Sequence, residues 1–194
     1  MPVLSTRTAG APRPRLEHLY IPLGTLVAAW QFLREGGARG CEQMCFLAGR
    51  LIAAPDTAAA QVTSCVLPLT VATAGHVTLT SHVQTAVILE HLEARAELPL
   101  VSIHTHPDGG TASCGPAHSS IDDRGVALVP EDGLFSIVVP HYAFGSPFEF
   151  PEHCGVYERV AGRWEHVPPS AAAERLIIHG DTLRMVRRDT EDVP

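Results

Sequence analysis

Two histidines, His104 and His106, are separated by one residue at the end of the short apolar segment Leu100–His104. Side chains alternate along a strand, so both imidazoles point to the same side when they end one. A Ser-x-x-Asp sequence follows at Ser119–Asp122, and its aspartate offers a third ligand. Two imidazoles and one carboxylate make a zinc site that keeps one position open for water, as catalytic zinc requires. The pattern predicts a metal-dependent hydrolase.

A glutamate upstream could supply the proton-transfer group that such a hydrolase needs. Glu42 stands at the start of a mostly apolar run, Glu42–Ala53, which is typical of a short buried strand. A carboxylate at the edge of this strand is placed to act as a general base. It would take a proton from the attacking water and later deliver it to the leaving amine.

These segments together form a recognisable signature. Glu-x-x-x-x-Leu-x-Gly begins at Glu42, His-x-His-Pro begins at His104, and Ser-x-x-Asp begins at Ser119. In this order they resemble the signature of the JAMM (MPN+/JAB) zinc metalloproteases. The chain is similar to the stand-alone bacterial members of that family over roughly Leu16–Val167. The combined pattern is specific, although any one piece of it would be weak.

The resemblance implies a role for each motif residue. It implies zinc as the cofactor, bound by two histidines and an aspartate, with a glutamate as general base and a serine that helps to hold the oxyanion. Carried over by motif position, the zinc ligands are His104, His106 and Asp122, the base is Glu42, and the serine is Ser119.

The resemblance also implies a fold and a substrate class. The fold would be the cytidine-deaminase-like JAB/MPN fold, an α/β architecture in which helices sandwich a mixed β-sheet. The substrate would be a ubiquitin-like protein or its conjugate, cut at the extended C-terminal tail in a bacterial conjugation pathway that includes E1-like and E2-like proteins. Such a tail can bind by adding a strand to an exposed sheet edge, and Thr73–Gln84 is our candidate for that edge.

Several residues near the motifs leave alternatives open. Ser120 and Asp123 repeat the Ser-x-x-Asp spacing one residue later, so they compete with the first register. Ser119 is also a suitable N-cap for a helix that starts there. His118 is a further candidate ligand, and the thiolate of Cys114 could cap zinc and block the water position. A solvated histidine and an inert thiol are the simpler interpretations of these last two residues.

Composition restricts the class of protein. The chain has 194 residues, of which 45% are hydrophobic and 18% are charged, and this predicts one globular domain. The formal net charge of -7 does not favour nucleic acid as a partner. The sequence has neither an apolar run of about 18 residues nor a signal-peptide pattern, so we expect a cytoplasmic protein without a membrane segment. The five cysteines lack paired spacing, which argues against a disulfide scaffold.

The periodicity of apolar residues and the positions of proline and glycine predict interleaved strands and helices. Residues 1–15 are expected to form a flexible arm, 16–170 the JAB/MPN domain, and 171–194 a C-terminal hairpin and tail. The predicted elements are helices at Leu23–Glu35, Thr85–Glu97 and from Ser119, strands at Glu42–Ala53, Gln61–Leu69, His76–Leu79, Leu100–His104 and Leu134–Val139, and hairpins at Cys154–Val167 and Arg175–Arg187.

Two other functions are compatible with the sequence. The first is a zinc peptidase that acts on small peptides or amino-acid conjugates. The second is a metal-free MPN interaction scaffold. Scaffold relatives of this kind usually lose the histidines or the glutamate, whereas this chain keeps His104, His106 and Glu42. The sequence therefore favours an enzyme.

Overall fold

The computed structural model describes residues 15–52, 58–108, 116–119, 122 and 132–180. Within these ranges the chain forms helices and strands in an interleaved order. The helices are α1 (Leu23–Gly37), α2 (His82–Ala94) and α3 (Pro169–Arg175). The strands are β1 (His18–Pro22), β2 (Met44–Ile52), β3 (Ala59–Val66), β4 (Thr70–Thr73), β5 (His76–Leu79), β6 (Leu98–Thr105), β7 (Phe135–Val139), β8 (Gly155–Val160), β9 (Arg163–His166) and β10 (Leu176–His179).

One large mixed sheet organises the described residues. Its strand order is β10-β1-β3-β2-β6-β7-β8-β9. β1 is parallel to both β10 and β3, and β6 is parallel to β7, whereas the other neighbouring strands are antiparallel. β4 and β5 form a separate antiparallel hairpin. The mixed sheet and its helices confirm the predicted α/β class.

Helix α1 covers the main core. Its buried residues Leu26, Ala29, Trp30 and Leu33 recur at steps of three and four residues, which places them on one face of a helix. They join one hydrophobic cluster with sheet residues such as Val101. The first predicted helix is therefore confirmed. None of the described helices is both long and apolar enough to cross a membrane.

The central strands present two different faces. Cys45 and Leu47 of β2 and Val101 and Ile103 of β6 belong to the main core. Because side chains alternate along a strand, His104 must point to the opposite face of the sheet. The core thus fixes which side of β6 carries the first predicted ligand.

Most of the other predicted strands are also present. The strands predicted at Gln61–Leu69, His76–Leu79 and Leu134–Val139 correspond to β3, β5 and β7. The hairpin predicted after Cys154 is formed by β8 and β9. Its turn residues, Ala161 and Gly162, have φ angles of 48° and 75°, as a tight two-residue hairpin turn requires.

Helix α2 differs from the prediction of a helix at Thr85–Glu97. It begins earlier because the side chain of Ser81 accepts a hydrogen bond from the backbone N–H of Gln84 at 3.3 Å, which is an N-cap. It ends before the predicted boundary. Its apolar residues are only partly buried, since Leu92 is 2% exposed but Val87 is 57% exposed.

The start of the predicted C-terminal hairpin belongs to the main sheet instead. Helix α3 precedes β10, and β10 pairs in parallel with β1. Arg175 at the end of α3 donates to the carboxylate of Glu158 on β8 at 2.6 and 2.9 Å. The apolar strand β10 therefore pairs with a strand that is distant in sequence. Residues 181–187, the predicted second strand, lie outside the described residues, as does most of the predicted N-terminal arm, 1–14.

Candidate metal centre

The pairing of β2 with β6 brings motif residues from distant parts of the chain together. β2 starts opposite His104, so Glu42 just before β2 lies at the same end of the sheet as His106. Two hydrogen bonds close this end of the strand pair. Gln43 N–H donates to Thr105 Oγ1, and Thr105 N–H donates to the Gln43 carbonyl, both at 3.0 Å.

The three predicted zinc ligands lie together. Nε2 of His104 is 3.3 Å from Oδ1 of Asp122, and Nε2 of His106 is 3.3 Å from Oδ2 of the same carboxylate. The centroids of the two imidazoles are 5.1 Å apart. One potential ligand atom from each of the three residues lies within 4.8 Å of the others, and the described residues contain no second group of this kind.

The polar atoms of this cluster suit a cation. His104 is 3% exposed, and its Nε2 is buried without a well-aligned hydrogen bond, although the Asp122 carboxylate lies within ion-pair distance. A buried nitrogen in this state lacks compensation for the water it has lost. Two imidazoles and one carboxylate are a donor set that zinc accepts, with a coordination position left for water. The three residues therefore fit a zinc ion.

The charges of the cluster favour the ionised carboxylate of Asp122, which is the form that binds a metal. Burial alone would raise the pKa of the Asp122 carboxyl, but the imidazoles of His104 and His106, each with Nε2 3.3 Å from one of its oxygens, outweigh burial and hold that pKa far below its usual value. Burial lowers the pKa of His106, and the nearby carboxylates of Asp122 and Glu42 more than reverse the effect. The Asp122 side chain is thus ionised, as metal binding requires.

The predicted base, Glu42, is buried beside this cluster. It is 4% exposed. Burial raises the pKa of its carboxyl to about 7; the charge of His106 opposes this rise, and those of Asp122 and Asp108 add to it. A group that titrates near neutral pH can both accept and return a proton during a reaction. Glu42 therefore has the electrostatic environment of a general base.

Ser119 makes the N-cap interaction that its sequence position also allowed. Its Oγ accepts a hydrogen bond from the backbone N–H of Asp122 at 3.2 Å, and its own N–H donates to Oδ2 of Asp122 at 2.6 Å. This reciprocal pair is a capping box with aspartate in place of the usual glutamate. The N-cap role uses Oγ as an acceptor, whereas an oxyanion role would use its proton. The two roles are therefore chemically compatible.

The sequence analysis missed a turn that borders the site. After β7, His141, Tyr142 and Ala143 have φ angles of 51°, 53° and 61°, a left-handed conformation that costs a non-glycine residue about 1–2 kcal/mol. Tyr142 N–H donates to the His106 carbonyl at 2.9 Å, and Arg34 of α1 donates to the Ala143 carbonyl at 3.1 Å. No sequence signal marks this turn, because a positive φ is usually indicated by glycine, asparagine or aspartate.

The same turn connects to the β4–β5 hairpin. The Tyr142 hydroxyl donates to the carbonyl of Ala74, in the hairpin turn, at 2.6 Å. The N–H of Glu42 donates to the carbonyl of Thr73 at 2.7 Å. The hairpin therefore lies directly against the backbone of the predicted base. The segment predicted as a substrate edge, Thr73–Gln84, contains β5 and the first turn of α2.

The alternatives left open by the sequence have different outcomes. Ser120, Asp123 and Cys114 lie outside the described residues. The interpretation of His118 as a solvated loop residue is wrong, because its half-buried ring stacks on Tyr157 with centroids 4.0 Å apart. His118 is also not part of the group of potential ligands around Asp122.

Comparisons with known proteins bear on the fold alone. No family model matches the chain, and no curated protein matches it. Among solved structures, the solution structure of protein DSY2949 from Desulfitobacterium hafniense is similar, with a TM-score of 0.52 and 13% sequence identity. That likeness covers 84% of this chain and 94% of the other. At this identity it indicates a shared architecture and says nothing of chemistry.

Proposed function

We propose that this protein is a zinc-dependent isopeptidase of the JAMM type, with the JAB/MPN fold. One observation carries the proposal. Two segments of the chain, one with His104 and His106 and the other with Asp122, bring two imidazoles and a carboxylate to within 4.8 Å of one another. A buried glutamate with a pKa of about 7 lies beside them. Perturbed carboxyl groups next to a metal-ligand cluster are the combination expected of a hydrolytic site.

His104, His106 and Asp122 would hold the metal. A zinc ion bound there supplies Lewis-acid polarisation of the scissile carbonyl and makes a water molecule more acidic. Glu42 takes a proton from the attacking water as its oxygen bonds to the carbonyl carbon. The same carboxyl then returns the proton to the amine nitrogen as the carbon–nitrogen bond breaks. The Ser119 hydroxyl donates to the oxygen on which negative charge develops.

The substrate of this proposal is a ubiquitin-like protein or its conjugate. An extended C-terminal tail would add a strand to the β4–β5 hairpin, which is attached beside Glu42 through its Thr73 carbonyl. The scissile bond at the end of that tail would then reach the metal ligands. The proposed setting is a cytoplasmic bacterial conjugation pathway with E1-like and E2-like partners.

The test uses purified full-length protein, a ubiquitin-like protein with a C-terminal extension, and a short peptide that carries the same scissile bond. Wild type should contain about one zinc per chain and cleave the extended protein. Glu42→Gln should keep its zinc and lose turnover by roughly 10²-fold or more, as expected for a general base. The double variant His104→Ala with His106→Ala should lose both zinc and activity.

Three results would change the assignment. Stoichiometric zinc in the double histidine variant would exclude the proposed site. Equal cleavage of the short peptide and the extended protein would instead favour the zinc peptidase that acts on small substrates. Loss of zinc in Glu42→Gln would make Glu42 a ligand and would leave the reaction without its base.

A further inference from the structure

The third ligand of the proposed site depends on a segment that is not part of the sheet. His104 lies in β6, and His106 directly follows the last residue of that strand. Asp122 and Ser119 instead come from residues 116–122, of which the structure describes 116–119 and 122. Metal affinity requires that this segment be held at the correct distance from β6, because a misplaced ligand contributes little. The contacts of the segment with β7 and β8 show how it is held.

The side chain of His118 makes the main contact with the sheet. Its Nε2 is 2.8 Å from Oγ of Ser136 on β7. Ser136 is fully buried, and its Oγ in turn accepts a hydrogen bond from Oγ of Ser102 on β6 at 3.2 Å. These serines lie opposite each other in the parallel pair of β6 and β7. The imidazole is therefore tied to the two strands that form the floor of the site.

Aromatic residues of β8 and β9 hold the same segment. The His118 ring stacks on Tyr157, with centroids 4.0 Å apart and planes 22° apart, and meets the edge of Trp164 at 5.3 Å. The N–H of His118 donates to the Tyr157 hydroxyl at 3.2 Å. A side chain at Gly155 would collide with the carbonyl of Pro116, so the backbone of the segment approaches β8 closely at that point. Both the ring and the backbone of His118 are thus fixed.

The position of His118 determines the positions of Ser119 and Asp122. Ser119 follows it in sequence, and the capping pair links Ser119 to Asp122 at 2.6 and 3.2 Å. We infer that His118 is a positioning residue: by binding Ser136 and stacking on Tyr157, it places Asp122 against the two histidines and Ser119 beside them. This inference rests on the proposed metal site for its functional meaning, but the placement itself is a property of the fold.

His118 is not the metal ligand that its proximity suggests. Its ring centroid is 5.9 Å from that of His104, but its Nε2 is directed to Ser136. Histidine suits the position because one side chain provides both a flat ring for stacking and a nitrogen for the buried hydroxyl. Glutamine can reach a similar hydrogen-bond partner but cannot stack, and alanine can do neither. Comparing histidine, glutamine and alanine therefore separates the contribution of ring stacking from that of the hydrogen bond to Ser136.

The experiment compares wild type with His118→Ala, His118→Gln and the control His166→Ala. His166 is an exposed histidine whose ring centroid lies 5.4 Å from that of Tyr157. Its removal therefore disturbs the packing around Tyr157 without changing residues 116–122. Zinc affinity is measured by competition with a chromophoric chelator. Absorption of the cobalt-substituted proteins reports the ligand set at saturation. Hydrogen exchange of the metal-free proteins reports the order of residues 116–122.

His118→Ala should weaken zinc binding by about 10- to 100-fold, as loss of an outer partner of metal ligands does. His118→Gln should recover part of this loss, and His166→Ala should bind zinc as wild type does. The shape of the cobalt spectrum at saturation should be the same in all four proteins, because none of the ligands has changed. Exchange at residues 116–122 should be fastest in His118→Ala, intermediate in His118→Gln and as slow as wild type in His166→Ala.

Wild-type zinc affinity in His118→Ala would overturn the inference, and an altered cobalt spectrum would do so by making His118 a ligand. If His118→Ala fails to fold, Ser136→Ala removes the same hydrogen bond with a smaller change and must then weaken zinc binding. If wild type binds no zinc, the proposed function is wrong, but the inference about His118 can still be tested. Hydrogen exchange then shows whether His118 holds residues 116–122 in place. Unchanged exchange in His118→Ala would refute it, and faster exchange confined to residues 116–122 would support it.

Discussion

Replacing Glu42 with glutamine should stabilise the metal-free protein at alkaline pH while it removes the proposed catalytic base. The Glu42 side chain is 4% exposed, and burial raises the pKa of its carboxyl from the ordinary 4.5 to about 7. The ionised carboxylate is therefore less stable in the folded protein than in the unfolded chain. Glutamine has nearly the same shape and no charge, so it removes this cost.

The sign and size of the effect follow from proton linkage. Well below pH 4.5 the carboxyl is protonated in both states, and the substitution should have no electrostatic effect. As the pH rises towards 7, the unfolded state binds fewer protons than the folded state, so wild type loses stability. Each pKa unit corresponds to about 1.4 kcal/mol, so the cost is about 1 kcal/mol at pH 5 and about 3 kcal/mol at pH 8. Glu42→Gln should recover about these amounts.

The assay is denaturant unfolding of wild type and Glu42→Gln at pH 5 and pH 8 with a chelator present. Glu97→Gln is the matched control, because Glu97 is also buried, at 6% exposed, but hydrogen bonds from Arg95, Ser64 and Thr63 lower the pKa of its carboxyl. Its contribution to stability is present above the unfolded pKa, so Glu97→Gln should destabilise the protein at pH 8. A stability difference between wild type and Glu42→Gln that does not change with pH would refute the reasoning.

Three further perturbations test other parts of the structure. Asp122→Asn should strongly weaken zinc binding measured by calorimetry, whereas Asp123→Asn should leave it unchanged; the reverse result would transfer the ligand to Asp123. Arg175→Ala should lower the free energy of unfolding by about 1.5–3 kcal/mol, since the fully buried Glu158 loses its bidentate partner and keeps only Arg15; a loss in urea titrations below about 1 kcal/mol, as for a surface pair, would contradict this. Tyr142→Phe removes the 2.6 Å hydrogen bond to the hairpin turn, so amide exchange in the β4–β5 hairpin should become faster while zinc is retained; unchanged exchange would show that the hairpin does not depend on that hydroxyl.

The sequence was informative where local pattern determines structure. The helix predicted at Leu23–Glu35 follows from helical spacing, and it forms as α1 with Leu26, Trp30 and Leu33 buried on one face. The apolar run after Glu42 forms β2, and the turn at Ala161–Gly162 joins β8 to β9. The candidate ligands were found because their types and order are unusual, and the structure brings Asp122 to the two histidines and Glu42 to the same end of the sheet.

The sequence was uninformative where distant contacts determine structure. No local pattern indicates that β10 pairs in parallel with β1, because the energy of that pairing comes from residues far apart in the chain. The left-handed residues His141–Ala143 include no glycine, and hydrogen bonds to their backbone from distant residues hold them, including one donated by the Arg34 side chain. The packing of His118 on Tyr157 likewise requires a loop to return to β8. These features border the candidate site, so the sequence alone predicted its candidate ligands but not the contacts that support them.

The buried glutamate of the candidate site differs from the other buried glutamates in its pKa. Among the described residues, Glu42, Glu97 and Glu158 are the buried ones. Arg95 contacts Glu97, and Arg175 contacts Glu158 and offsets the effect of its burial, so the pKa of each of these carboxyls is lowered. For Glu42 burial dominates, and its pKa is raised. A fold that pairs its structural acids with arginine has no structural reason to keep the third one at such a cost. The proposed role in proton transfer beside the candidate metal ligands gives that reason, because a general base works best when its pKa is close to the working pH.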